Sequence, residues 1–191
     1  MSKIIHDLAV LSKPSMLVQP NEVCGLAAQL QAELGQQPNG FGLSAVQIGI
    51  HKCIAVIKRK NGEYIVLVNP VIIECEDEFV FDGEGCLSFP GRYCMTTRYR
   101  QITITNDVLD GDKFRIEKLC FYYDDTVKHK DVECLAVQHE IDHMLGKTMF
   151  DREVHLKPVT VTAKTGRNEP CPCGRKDDND KPIKYKKCCG A

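Results

Sequence analysis

Three side chains with metal and acid–base chemistry stand close together late in the chain, in Gln138-His139-Glu140-Ile141-Asp142-His143. On an α-helix, positions i and i+4 share a face, so His139 and His143 can point at one ion. Glu140 lies about 100° further round the helix, close enough to touch a water on that ion without ligating it. Two His ligands with an intervening Glu base form a known hydrolytic constellation. Val132, Leu135, Ala136, His139 and His143 fall on one stripe at helical spacing. Asp131 is the candidate N-cap of that helix, and Gly146 its candidate stop. Two core histidines on an amphipathic helix would give the same letters, so the rest of the chain must discriminate.

A catalytic ion commonly has three protein ligands and one position left for water. The segment Glu84-Gly85-Cys86-Leu87-Ser88 offers a thiolate on a separate element. Spacing alone does not prefer Cys86 over Cys53, Cys75, Cys94, Cys120 or Cys134. In Gly40-Phe41-Gly42-Leu43-Ser44-Ala45-Val46-Gln47, two glycines flank an aromatic, the mark of backbone that something approaches closely. Gln47 adds a side-chain N–H. At the far end, Cys171-Pro172-Cys173-Gly174 and Cys188-Cys189-Gly190 put two thiol pairs in a segment too short to bury a core. That reads as a structural zinc site, the alternative being a basic tail with exposed thiols.

The elements that must position these groups are legible in outline. Val23, Leu26, Ala27, Leu30 and Leu34 predict a scaffold helix, capped at Asn21 and ending at Gly35. Residues 53–57 and 64–68 read as strands joined by an Asn61-Gly62 turn. Further short strands are predicted at 71–73, 79–81, 102–105 and 114–116, the last after an Asp110-Gly111 turn. Strands followed by the His-bearing helix, rather than alternating with helices, predict an α+β fold of mostly antiparallel sheets packed around a metal-binding helix. Composition shifts after Arg152. Residues 1–152 therefore read as the catalytic domain, 153–166 as a linker and 167–191 as a small cysteine-rich module. A net charge of −1 predicts no particular partner. Eleven cysteines in a chain with no signal-peptide or membrane-spanning run point to a reducing, cytoplasmic setting, with thiols used as metal ligands or buried in the core.

Three stretches together resemble the peptide deformylase family. Gly40 to Gln47 resembles its Gly-Φ-Gly-Φ-Ala-Ala-x-Gln motif, with Ser44 where the family usually has Ala. Glu84 to Ser88 matches Glu-Gly-Cys-Leu-Ser, and Gln138 to His143 matches Gln-His-Glu-x-Asp-His. The resemblance covers about residues 1–152, but the usual N-terminal Asp-Pro-x-Leu-Arg segment is not recognisable in Val10 to Leu17. The tail separately resembles the SecA-type C-terminal zinc motif.

The resemblance implies removal of the N-formyl group from the initiator Met of new polypeptides, releasing formate. It implies Cys86, His139 and His143 as ligands of Fe²⁺, with Zn²⁺, Ni²⁺ or Co²⁺ able to substitute. It makes Glu140 the general base and gives the oxyanion to the Gln47 side chain and the Leu87 N–H. It places Phe41, Leu87, Leu135 and Ala136 around the Met side chain and the Gly42 backbone beside the substrate main chain. It pairs Glu84 with Arg98 as a supporting ion pair. For the tail it implies Zn²⁺ on Cys171, Cys173, Cys188 and Cys189. The expected partners are a formylmethionyl polypeptide and, through the tail, the ribosome, but neither DNA nor a membrane. The tail's charge speaks weakly for RNA: seven basic against four acidic residues give +3, which four thiolates and one Zn²⁺ would reduce to +1. Two other readings compete. A His-Glu-x-x-His metallopeptidase needs a ligand further on, and His155 is the one later histidine. A non-enzymatic binding protein with a decayed site would not need the complete catalytic set.

Overall fold

The computed structural model describes residues 4–124, 132–154, 166–177, 179 and 181–190. The chain divides into two compact units, Met1–Val154 and His155–Ala191.

The first unit is built on two three-stranded antiparallel sheets. One has the order β1 (Gly42–Ser44), β2 (Ile54–Lys58), β3 (Tyr64–Val68). The other has the order β4 (Val71–Gly85), β5 (Tyr93–Asp110), β6 (Lys113–Tyr122). A short helix α1 (Leu8–Leu11) precedes α2 (Val23–Gly35), and α3 (Glu133–Met144) follows the sheets. Side chains alternate across a strand, and β2 uses both faces. Ile54 and Val56 pack with Leu30 and Leu34 of α2, whereas Ala55 and Ile57 pack with Val137, Ile141 and Met144 of α3. That second cluster also takes Ile102 and Ile104 of β5 and Phe121 of β6. Helix α3 is thus embedded between the sheets and buried on nearly all sides. The Gln138 amide fixes it to β5, accepting from the Tyr99 N–H at 3.0 Å and donating to the Tyr99 carbonyl at 2.8 Å.

The α+β architecture agrees with the sequence, and several boundaries move. Residues 71–73 and 79–81 are two parts of one 15-residue edge strand, β4. The acidic run Glu74-Cys75-Glu76-Asp77-Glu78 hides the strand pattern. Charge on an edge strand guards against unwanted pairing, and register breaks at Ile72/Glu74 and Phe81/Glu84 interrupt the alternation. Asn21 is not the cap of α2. It lies inside a 3₁₀ turn, Pro20–Glu22, that the Glu22 carboxylate closes on the Gln19 N–H at 2.8 Å while also pairing with Lys52. Gly146 ends α3 as expected, at φ +71°, and the Asp131 cap lies outside the described residues. No disulfide joins any of the eleven cysteines, and of those outside the two predicted ligand sets Cys24, Cys75 and Cys120 are exposed rather than buried. No helix among the described residues is long and apolar enough to cross a membrane.

In the second unit, Pro170 bridges Lys184, and Lys176 bridges Pro182. Backbone bonds Cys171 N–H to Ile183 (2.8 Å) and Tyr185 N–H to Glu169 (2.8 Å) complete a miniature ladder. Gly174 turns at φ +75°. Gly190 packs on Tyr185 so closely that a Cβ would lie 2.6 Å from the ring. Cys171 is the one buried residue among those described here, so apolar burial cannot hold this unit together.

Candidate active site

The buried polar stripe of α3 is costly unless each group finds a partner, and most do. His139 Nδ1 donates to Glu84 Oε1 at 2.6 Å. That bond fixes the tautomer and leaves Nε2 as the free donor atom, as a carboxylate behind a metal-binding imidazole does. Glu84 also accepts from Thr96 Oγ (2.6 Å) and from Arg98 Nε (2.7 Å) and Nη2 (2.5 Å). Arg98 Nη1 reaches Asp142 at 2.6 Å, and Arg152 closes on the other side of Asp142 at 2.6 Å. A chain of alternating charges, Glu84–Arg98–Asp142–Arg152, buried up to Asp142 and half-exposed at Arg152, therefore stands behind His139. Burial disfavours charge on Glu84, but its bonds to His139 and Arg98 outweigh that and hold its carboxyl well below the usual range.

Cys86 Sγ lies 3.3 Å from His143 Nε2. Ligand atoms of Cys86, His139 and His143 all lie within 4.8 Å of one another. One sulfur and two imidazole nitrogens converging in this way suit a transition-metal ion. Burial pushes His143 well below its ordinary value, which leaves that ring neutral.

Glu140 Oε2 is buried and has no hydrogen-bond partner among the described residues. Burial pushes this carboxyl up to about 7. A raised carboxyl with an unused lone pair suits proton transfer near neutrality. Gly42 makes the space for it, since a Cβ there would lie 2.6 Å from Glu140 Oε1. Gln47 accepts the Ser44 N–H on its Oε1 at 2.9 Å, which turns its amide nitrogen toward Cys86 Sγ (3.5 Å) and Ser88 Oγ (3.3 Å).

These groups open on a cavity of about 560 Å³, lined by Phe41, Gly42, Leu87, Leu135 and Ala136 together with Gln47, Cys86, His139 and Glu140. Every pocket residue named from the sequence lines this cavity.

The sequence profile described as "Polypeptide deformylase" matches residues 2–159. The chain belongs to the polypeptide deformylase family. A peptide deformylase of Chromobacterium violaceum is 30% identical over 159 residues, covering 80% of this chain and 88% of that protein. One of Teredinibacter turnerae is 35% identical, covering 65% and 69%. Among solved structures, a peptide deformylase from Legionella pneumophila superposes with a TM-score of 0.65 at 30% identity, covering 83% of this chain and 88% of that one. Deformylases are metal-dependent hydrolases that take the N-formyl group from nascent polypeptides, and this chain is such an enzyme.

The family motifs do not contain every residue that shapes the deformylase site. Phe81, Phe89, Arg92 and Tyr93 also line the cavity. Arg92 stacks over Phe150, its guanidinium carbon 4.3 Å from the ring centre. Phe89 and Arg92 lie in the loop between β4 and β5, which no periodic signal marks. An acid such as Asp142 on the buried face of a helix demands a cationic partner, but the sequence does not say which cation supplies it, and the structure gives Arg98 and Arg152. His155, the later ligand that a metallopeptidase would need, lies outside the described residues.

The family match stops at residue 159, and the second cysteine cluster lies beyond it. Sulfurs of Cys171, Cys173, Cys188 and Cys189 all fall within 4.8 Å of one another, Cys173 and Cys188 at 3.4 Å. Such a cluster can hold a metal.

Proposed function

We propose that this deformylase holds its catalytic ion on Cys86, His139 and His143 and hydrolyses the formamide of formylmethionyl polypeptides with Glu140 as the proton carrier. The supporting observation is a convergence: the Cys86 sulfur faces His143 at 3.3 Å, and Glu140, whose Oε2 has no hydrogen-bond partner among the described residues, lines the cavity that Cys86 also lines. The bound ion supplies Lewis acidity and a water of lowered pKa. Glu140 takes the proton of the attacking water at its free oxygen and returns it to the departing Met amine. As the formyl carbon turns tetrahedral, charge grows on its oxygen, and the Gln47 amide and the Leu87 N–H donate to it. The Met side chain enters the slot of Phe41, Leu87, Leu135 and Ala136, and the Gly42 backbone pairs with the peptide main chain. A thiolate among the ligands adds softness and accommodates Fe²⁺, the proposed native ion, as well as Zn²⁺, Ni²⁺ or Co²⁺.

Comparison of formyl-Met-Ala with unformylated Met-Ala-Ser tests this reading against a peptidase on the same scaffold. Formate is released from the first and the second stays intact. Cleavage of a peptide bond in the second would contradict it.

Beyond residues 1–152 and a linker at 153–166, residues 167–191 form a SecA-type zinc module with Cys171, Cys173, Cys188 and Cys189 as ligands. The four clustered sulfurs, and the absence of any buried residue but Cys171 among the described ones of this segment, support it. The module docks this cytoplasmic enzyme near the ribosome, where its substrate emerges. Deletion of residues 167–191 is expected to lower co-sedimentation with ribosomes; unchanged co-sedimentation would end that assignment.

A further inference from the structure

The two donors assigned to the oxyanion come from loops far apart in the chain: the 3₁₀ turn Ala45–Ile48 and the stretch 86–88. A third stretch touches both. The Ile5 N–H donates to the Gln47 carbonyl at 2.7 Å. His6 Nδ1 bonds the Ser88 carbonyl at 2.8 Å, across 82 residues of sequence. A carbonyl only accepts, so His6 is the donor and Nδ1 carries its hydrogen. Gln47 Nε2, donating to Ser88 Oγ at 3.3 Å, closes the ring. Three hydrogen bonds thus tie residues 5–6, 47 and 88 together, with Leu87 held next to Ser88.

The tie has a physical use. Oxyanion stabilisation depends on donors fixed in advance at about 2.7–3.1 Å from the oxygen as charge develops. The bonds of Gln47 Nε2 to Cys86 and Ser88 are long, 3.5 and 3.3 Å, so they hold the spacing of the two loops loosely. The short bonds from Ile5 and His6 set it more firmly. Ile5 also packs at the end of the Gln47 turn, 3.9 Å from where a Cβ on Gly49 would stand. Gly49 has φ +83°, which fixes how that turn leaves the site.

We infer that Ile5 and His6 are positioning residues for deformylation: a strap that clamps the Gln47 turn to the Cys86–Ser88 stretch and so presets the oxyanion donors. The inference rests on Gln47 and Leu87 being those donors. His6 is exposed and does not line the cavity. It touches the reaction only through Ser88, and its substitution disturbs no core packing.

The test uses the full-length metal-loaded enzyme and formyl-Met-Ala, comparing His6→Ala, His6→Asn and Gln47→Leu by kcat, KM and bound metal. Asn carries an N–H donor on the same carbon that bears Nδ1 in His, so it can restore the bond that Ala removes. His6→Ala is expected to lower kcat and kcat/KM together by roughly 3- to 10-fold, the worth of one net hydrogen bond. KM and metal content stay unchanged, and His6→Asn recovers most of the loss. A kcat for His6→Ala within about twofold of wild type overturns the strap, provided Gln47→Leu loses on the order of 10²-fold. If Gln47→Leu is itself without effect, the oxyanion assignment falls and the strap falls with it. Loss of metal in His6→Ala with no rescue by Asn would overturn it too, by showing a general structural role.

Discussion

Glu140→Gln is expected to end formate release while leaving the bound metal in place. Gln has the shape of Glu and fits against Gly42, where little room is left: a Cβ would meet the Glu140 oxygen at 2.6 Å. What it lacks is a carboxylate able to take a proton from the attacking water and return it to the amine. Loss of such a group costs about 10²–10⁴ in rate. His139, His143 and Cys86 are untouched, so metal content should match wild type. Because Glu140 Oε2 has no hydrogen-bond partner to lose, the melting temperature should not fall. Buried functional groups of this kind are held at some expense to stability. Formate release within a few-fold of wild type would show that another group carries the proton.

The second large effect falls on stability. Arg98 is buried, 2% exposed, and ties Glu84 to Asp142. Arg98→Met keeps the apolar stem but leaves the Glu84 carboxylate inside the fold with only His139 and Thr96. Removing one partner from a buried ion pair costs about 3–5 kcal/mol. In a chain of this size that lowers the melting temperature by on the order of 10 °C. The metal should also bind more weakly, because Glu84 orients His139. Removing the stranded charge as well, in Glu84→Gln/Arg98→Met, should restore part of the thermal stability but not the metal affinity. A melting temperature for Arg98→Met within about 2 °C of wild type would show that this charge chain supports little.

Local rules explain what was legible beforehand. The His-bearing helix, the hairpin at Gly62 and the stop at Gly146 follow from periodicity and positive-φ glycines, which act over a few residues. The 15-residue β4 was not legible, because its acidic run faces solvent on an edge and its bulges break the period of two. Cys86 could not be chosen over five other cysteines by spacing, because what sets it apart is a distance of 3.3 Å to His143 across 57 residues. The Phe89–Tyr93 rim of the cavity carries no repeating pattern. The same holds for His6, whose one bond of consequence spans 82 residues. Burial reveals the partners Asp142 and Arg152, where the sequence shows only charges.

Metal content and formate release, measured on the same preparations of wild type, Cys86→Ala and Cys171→Ala, test the central assignment most directly. One ion per chain should vanish in Cys86→Ala together with all formate release. A different ion should vanish in Cys171→Ala, with formate release kept. Cys86→Ala protein that retains its full metal complement and its activity would contradict the account.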